Sequence, residues 1–414
     1  MPKRNHSPEP GSAVADSLWH AWFGPEPHEV GSSVGAGFSG APLVRVRPRH
    51  GTDWFVLKAF APGTPRRRAE WVHALVGHLA ARGVAEVPLP RASRAGPTLV
   101  TDDHGTHWEL VPFVAGVSAD TPTSAQASAA LEALARIHVA GATLPGHAVH
   151  RGPPPAWLRR REQAAALEAA PWSRRQREAA VNVGDATAAD VAERWRRAVA
   201  VFASSGGPRA VSVIAHAAVD AASLQPVLRD VWSAHVLFAG EGVPRVAGVV
   251  DPHAAAVDTP ATDVARLLGS WRRLDAVSAA DPVAAWPDAI AAYLAVRPTP
   301  AAEVSLVPFL HAAGIVCGLD NWFRWWLEER RSFADPAAAL ARIDRLLEDL
   351  PAALEWLAGR RPGRVGPAEI AVCRLQWSKT QGLGRPAAAA GRRHRPGTPR
   401  WIVVHAFAGI GPGS

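Results

Sequence analysis

The sequence predicts an α+β protein of two lobes, a small antiparallel β-sheet lobe followed by a mainly helical one, and three observations carry that prediction. Near the N-terminus Leu43, Val44 and Val46, the turn-forming "HGTD" of His50–Asp53, and the run Trp54–Leu57 read as a β-hairpin. From Thr121 onward apolar residues recur at helical spacing, as at Ala130, Leu131, Leu134 and Ile137. A second hairpin interrupts the helices, with Val236–Phe238 and Val246–Val250 flanking a Gly-Glu-Gly turn. A chain of 414 residues, 48% hydrophobic and 20% charged, is long enough to bury a core in each lobe. The expected division is a disordered N-terminus over 1–16, the sheet lobe over 17–116, the helical lobe over 117–357 and a basic, disordered tail over 358–414.

Composition narrows the function classes. The net charge of +8 suggests nucleic acid, but the excess sits in residues 358–414, where ten Lys and Arg face the single acid Glu369. The body is close to neutral, so nucleic acid is disfavoured as a partner. Cys317 and Cys373 are too few for a disulfide framework, and the N-terminus lacks the apolar stretch of a signal peptide. With no run of about 18 apolar residues, the expectation is a cytoplasmic protein without a membrane partner. Lysine is scarce: Lys3, Lys58 and Lys379 are the only ones among 45 basic residues. A lone lysine in an arginine-using body marks a place that needs a compact ammonium. That place is Lys58.

The elements follow in order. Residues 17 to about 30 begin as a short helix ended by Gly24 and Pro25. "GAGFSG", Gly35–Gly40, fits the dinucleotide pattern G-x-G-x-x-G, which requires a helix to follow. Pro42 and Pro48 deny that helix, and the hairpin stands in its place. A glycine-rich loop opening a hairpin, with a lysine on the next strand, is the way protein kinases cover the phosphates of ATP. Gly35, Gly37, Ser39 and Gly40 are therefore the candidate phosphate loop, and Lys58 the candidate phosphate ligand. A helix follows, with Thr64 as its cap, a stripe at Trp71, Ala74, Leu75 and Leu79, and a stop at Gly83. Glu70 on that helix is expected to pair with Lys58. Two strands around "DDHG" come next, and Glu109 to Val111 are expected to form the connector where adenine meets backbone groups. His138 lies on an apolar helix face and reads as a packed core histidine. Trp322, Trp325 and Trp326 read as core too. Asp320, Glu328 and Glu329 are candidates for an acidic acceptor pocket, diluted by Arg324, Arg330 and Arg331.

The chemical centre is "LQPVLRDVWSAHVLFAGEGVPRVAGVVDPHAAAVDTPATDVARLL". Asp230 precedes the second hairpin and Asp251 ends it. Phosphoryl transfer needs one carboxylate near the attacking hydroxyl and others to hold a divalent cation on the phosphates. "LRDVWSAHVLF" resembles the H-G-D-x-H-x-x-N-V-L-F stretch of aminoglycoside phosphotransferases and choline kinases, a protein-kinase-like family. "GVVDPHAAAVDTPATDVARLL" resembles that family's I-D-F-G-x-x-x-x-G-D-P-x-x-D-L-A. The likeness covers about residues 30–360 with five motifs in matching order. It implies a protein-kinase-like fold and an ATP-dependent transfer of the γ-phosphoryl group to a small-molecule hydroxyl. Asp230 matches the catalytic aspartate, Asp251 the metal-binding one, and Asp263 the one that buttresses the loop. The implied cofactors are ATP and Mg²⁺, with Mn²⁺ as a substitute. Three departures stand against this. Leu228-Arg229 replaces His-Gly, Pro252-His253 replaces Phe-Gly, and His235 replaces the asparagine of the second metal position, where oxygen suits Mg²⁺ better than imidazole. The alternative reading is a degenerate relative that binds nucleotide without efficient catalysis.

Overall fold

A computed structural model describes residues 18–31, 42–179, 186–218, 221–240, 242–271, 286–333 and 335–360. Gly35–Gly40 and residues 361–414 lie outside them, as do the expectations made there. The first lobe is built on five strands: β1 (His28–Val30), β2 (Leu43–Pro48), β3 (Phe55–Ala59), β4 (Leu99–Thr101) and β5 (His107–Pro112). They are ordered β1-β2-β3-β5-β4, with every neighbouring pair antiparallel. β2 and β3 form the expected hairpin, Leu43 opposite Lys58 and Val46 opposite Phe55. A parallel βαβ dinucleotide unit is thereby excluded.

Side chains alternate across a strand, and here the alternation sorts core from chemistry. Val44, Val46, Phe55, Leu57, Ala59, Trp108 and Leu110 share one face, covered by Leu18, Trp19 and Trp22 of a short helix α1 over residues 18–23. Lys58 and Glu109 fall on the other face, where they are direct cross-strand partners. Helix α2 (Arg66–Ala81) packs there, burying Ala69, Val72, His73, Leu75, Val76 and Leu79. The buried stripe is out of phase with the expected one, which had Trp71 and Ala74 inward. Thr64 is not the cap: Pro65 occupies that position without a side-chain bond, and the Thr64 hydroxyl donates to the Ala61 carbonyl at 2.6 Å. Gly83 stops the helix as expected, at φ 80°, a left-handed conformation in which glycine bears no Cβ penalty.

The expected connector also moves. Glu109 to Val111 lie inside β5, paired residue by residue with β3, and the chain leaves the sheet only after Pro112. Residues 113–116 lead to β6 (Val117–Ser118), which joins β9 (Val236–Phe238) and β10 (Val246–Val249) in a three-stranded sheet of the second lobe. β7 (His150–Gly152), β8 (Ala222–Val227) and β11 (Ala256–Asp258) make another, ordered β11-β8-β7.

The rest is helical: α3 (Ser124–Gly141), α4 (Pro155–Ala169), α5 (Trp172–Ala179), α6 (Ala186–Ser204), α7 (Gly207–His216), α8 (Ala261–Leu268), α9 (Pro287–Val296), α10 (Ala301–Phe323) and α11 (Pro336–Ala358). Thr123 and Gln126 form a reciprocal capping box at the start of α3. One continuous apolar cluster runs from α2 through these helices, with Trp157, Trp172, Trp195 and Phe323 fully buried. Trp322 joins it, Trp325 and Trp326 pack against it, and the Trp326 ring lies tilted to Phe333 at 4.8 Å, so these tryptophans are core as expected. Residues 301–328 are long and apolar enough to cross a membrane by composition, contrary to the sequence expectation, but most of that stretch is buried against the other helices.

Gly116 marks where the connector meets the second lobe, because a Cβ built there would lie 2.9 Å from the Phe238 carbonyl oxygen and 3.0 Å from Leu237 Cβ. Backbone cannot move aside as a flexible side chain can. Gly116→Ala is expected to destabilise the protein by about 1–3 kcal/mol, read as a lower urea midpoint with an unchanged slope.

Candidate active site

The site forms where the Lys58 face of the sheet meets the β9–β10 hairpin. The Lys58 ammonium donates to Asp251 Oδ1, an ion pair across 193 residues of sequence. Lys58 is 12% exposed and Asp251 36%. Burial alone would raise the Asp251 carboxyl, but the charge of Lys58, with smaller contributions from His235 and His253, holds it below the usual carboxylate range. Asp251 is also one of three non-glycine residues with positive φ among those described, at 63°. Such backbone costs about 1–3 kcal/mol and persists only where its surroundings fix it.

Asp230 lies at the other end of the hairpin, and His235 spans the gap between the two acids. Its Nδ1–H donates to the Asp230 carbonyl at 2.7 Å, while Nε2 lies 3.8 Å from Asp251 Oδ2. Nε2 itself accepts from the Trp232 indole N–H at 2.7 Å. Burial lowers the His235 pKa, keeping the ring neutral. Its one lone pair is taken by Trp232 in this arrangement, so the metal role expected of His235 requires Trp232 to give way. Asp230 Oδ1 accepts from Arg266 at 2.8 and 3.1 Å, a partner the sequence reading did not assign.

The loop before Asp230 is held by Asp263, which is fully buried. Its Oδ2 accepts from the Leu228 N–H at 2.8 Å and its Oδ1 from the Arg229 N–H at 2.6 Å. His138, also fully buried, bonds Asp263 Oδ2 at 3.0 Å and the Tyr293 hydroxyl at 2.7 Å. The buttressing role expected of Asp263 and the core role expected of His138 are thus one hydrogen-bonded unit. Arg229, directly before Asp230, takes a φ of 67°.

Beside Lys58 the expected partner is absent. Glu70 pairs with Arg66 at 2.7 Å, one helical turn back, and both side chains are 52% exposed. With Val72, Val76 and Leu79 inward, helical geometry turns His73 toward the sheet and Glu70 away from it. His73 Nε2 meets Glu109 Oε2 at 2.8 Å, its Nδ1 meets Thr98 Oγ1 at 2.7 Å, and Glu109 Oε1 takes the His253 Nε2 at 2.7 Å. The His253 ring stacks on Phe60 at 3.8 Å, and the carbonyls of His253 and Ala255 accept from Arg68 of α2. Glu109, 2% exposed, is the buried acid of the sheet lobe. Burial pushes its carboxyl up, but the charge and hydrogen bonds of His253 and His73 outweigh burial and hold it far below the usual range. The chain signals that reveal this are the correct stripe phase on α2 and the alternation on β5.

Gly31 and Pro42 bound the segment that holds the candidate phosphate loop. The Pro42 carbonyl accepts from the Ala59 N–H at 3.0 Å, so the segment ends beside Lys58. Among the described residues no three His, Cys, Asp or Glu side chains gather as a metal site. A divalent cation bound largely by nucleotide phosphates and water needs only one or two protein carboxylates. Asp251 fits that single-cation role.

A sheet lobe and a helical lobe meeting at a lysine and two aspartates define the protein-kinase-like phosphotransferase fold. A family model described as "Phosphotransferase enzyme family" matches residues 34–299, and the chain belongs to that family. Its relatives include homoserine kinase of Beijerinckia indica subsp. indica, 29% identical over 219 residues, 53% of this chain and 58% of the relative. Homoserine kinase of Methylobacterium nodulans is 30% identical over 261 residues, 62% of this chain and 69% of that one. The chain thus spans little more than half the length of the first of these relatives. The crystal structure of spectinomycin phosphotransferase in complex with ADP and spectinomycin superposes with a TM-score of 0.54 at 11% identity, covering 84% of this chain and 98% of that one.

Asp263→Ala leaves the Leu228 and Arg229 N–H groups without their acceptor, at about 1–3 kcal/mol each, so urea unfolding should show a loss of several kcal/mol. For Glu109, whose folded pKa lies below its unfolded value, the stabilisation is complete above about pH 4.3. It is lost as pH falls through the depressed folded value. Urea midpoints measured from pH 6 down to pH 3 should therefore drop more steeply for the wild type than for Glu109→Gln.

Proposed function

We propose that the protein is an ATP-dependent phosphotransferase that moves the γ-phosphoryl group to a hydroxyl of a small molecule. The observation that carries this reading is the Lys58–Asp251 pair spanning the two lobes, with Asp230 tied to the same cleft through His235. Gly35, Gly37, Ser39 and Gly40 cover the phosphates, and Lys58 binds them as a compact cation. Adenine sits against the backbone that follows β5, at residues 113–116, rather than at Glu109 to Val111. Mg²⁺, when bound on Asp251, neutralises charge on the phosphates. The acceptor oxygen attacks the γ-phosphorus, the bond to the β-phosphate oxygen breaks, ADP leaves with the electron pair, and Asp230 takes the hydroxyl proton. Arg266 must release Asp230, at least in part, for that last role. Residues 17–112 act as the nucleotide lobe and 117–357 as the acceptor lobe. Homoserine and spectinomycin, named in the relatives, are the first acceptors to screen.

A second reading has its own observation. Lys58 holds Asp251, Trp232 occupies the lone pair of His235, and Arg266 holds Asp230. A protein with all three groups committed binds nucleotide without turning it over.

Calorimetry with ATP and Mg²⁺ and a coupled ADP-release assay separate the two. On the enzyme reading, Lys58→Ala and Asp251→Asn each weaken nucleotide binding about 10- to 100-fold, the range for a lost charged hydrogen bond. Asp230→Asn leaves binding intact and lowers kcat by about 10²–10⁴. Binding without ADP release from any acceptor establishes the second reading, and the absence of binding sinks both.

A further inference from the structure

The arginines around Asp230 outnumber the acids that accompany them. Arg266 lies on Asp230. Arg229, one residue before it, and Arg159 of α4 lie 3.7 and 3.6 Å from the buried Asp258, whose own oxygens already accept the Ala156 and Thr259 N–H groups at 2.9 Å. Arg160 donates from Nη1 to the Ala156 carbonyl at 2.9 Å, its buried Nε has no partner among the described residues, and it interacts electrostatically with Asp258, Arg159 and Arg266. Arg342 of α11 is 9% exposed and forms no ion pair among the described residues; the charges acting on it are those of Arg266, Arg345, Asp349 and Asp230. Burial first, then repulsion from Arg266 and Arg345, pushes its guanidinium pKa down to about 9. Six guanidinium groups, those of Arg159, Arg160, Arg229, Arg266, Arg342 and Arg345, thus share three carboxylates, Asp230, Asp258 and Asp349, around the group that an acceptor hydroxyl must reach.

The acids that a polycationic acceptor would need are already taken. Asp320 accepts from Arg175 at 2.6 Å, from the Trp172 indole at 2.9 Å and from Gln163 at 2.9 Å. Glu328 is held by the same Arg175, and Glu329 by Arg324 and Arg331 at 3.1 and 2.7 Å. Sequence reading offered these three as an acidic pocket. In the structure they are neutralised.

We infer that the acceptor is an anion, a hydroxy acid whose carboxylate binds among Arg266, Arg342 and Arg229 and draws Arg266 away from Asp230. Guanidinium groups bind carboxylates through two parallel hydrogen bonds, and crowded cations gain most from a ligand of opposite sign. The same event that seats the acceptor then frees the carboxylate that takes its proton. Water, lacking the anionic group, leaves Arg266 in place, which protects ATP from idle hydrolysis. The inference rests on the phosphotransferase reading and narrows its substrate class.

The test compares 4-hydroxybutyrate with its neutral amide, 4-hydroxybutyramide, and with the cationic 3-aminopropanol, in ADP release and in thermal shift with ATP present. The expected result is a kcat/KM for the acid at least about tenfold above that of either analogue, the effect of one charged hydrogen bond. Arg342→Gln and Arg266→Gln should each erode that preference, mainly through KM, while nucleotide binding is kept. Arg266 is 39% exposed, so its substitution is compatible with folding even where that of Arg342 is not. Equal or better turnover of the amide or the amine overturns the inference. If nucleotide binds but no compound is turned over, the inference is decided by thermal shift: no stabilisation by 4-hydroxybutyrate that Arg266→Gln removes also overturns it. Failure to bind ATP at all is a different outcome, because it removes the phosphotransferase reading itself.

Discussion

The ion pair of Lys58 with Asp251 is the constraint around which the two lobes are set. It joins the third strand of the sheet to the end of a hairpin in the helical lobe, and each side is braced so that the pair can form. On the sheet side, β3 runs between β2 and β5, which fixes where the lysine stem leaves the sheet. On the hairpin side, Asp251 takes a left-handed conformation, which would relax if left alone. The following turn prevents this. Its carbonyls accept from Arg68, its His253 is clamped between Glu109 and the Phe60 ring, and its first residue is proline. Removing any one of these contacts loosens the aspartate without touching the lysine.

The strained loop before Asp230 is solved differently. Arg229 is also left-handed, and here the fixing group is a buried carboxylate rather than a set of neighbouring turns. Burying Asp263 is costly unless its oxygens are satisfied. Two backbone N–H groups and His138 satisfy them, and the Tyr293 hydroxyl fixes the far side of the histidine ring. The loop therefore inherits the rigidity of α3, α8 and α9, which meet at these residues. A histidine with no chemistry of its own becomes part of how the candidate catalytic aspartate is aimed.

Much of this was legible in the residues. Pro42 and Pro48 were enough to reject a helix after the glycine run, and the scarcity of lysine was enough to single out Lys58. The two aspartates at the ends of one hairpin followed from apolar runs alone. What the sequence hid were choices between near-equivalent partners. Glu70 and His73 are three residues apart on α2, and a one-position error in the phase of the apolar stripe exchanges which of them faces the sheet. Glu109 sits among apolar strand residues, and nothing local says that two distant histidines will meet its carboxylate. Arg266 is one of many arginines, so its contact with Asp230 left no compositional mark. His235 and Trp232 are three residues apart, yet their bond depends on the single turn between them.

The charged groups of the site divide by burial, and the division has a functional meaning. Asp263 with His138, and Glu109 with His73, are buried pairs in which loss of one partner strands the other, a penalty of about 3–5 kcal/mol. The Arg266–Asp230 pair is exposed on both sides, at 39% and 44%, and is worth about 0–1 kcal/mol net, while in the Lys58–Asp251 pair the aspartate is 36% exposed and the lysine 12%. The buried pairs cannot exchange partners at any modest driving force. The half-exposed ones can, because solvent takes over part of each charge during the exchange. On the proposed reading, Lys58 and Arg266 are each held by a carboxylate until an anion better matched to it arrives, phosphate for the one and an acceptor carboxylate for the other. On this view the ion pairs that hold both aspartates are the resting state of the site. Catalytic competence then depends on both anions being present together, because only then are both aspartates free to act.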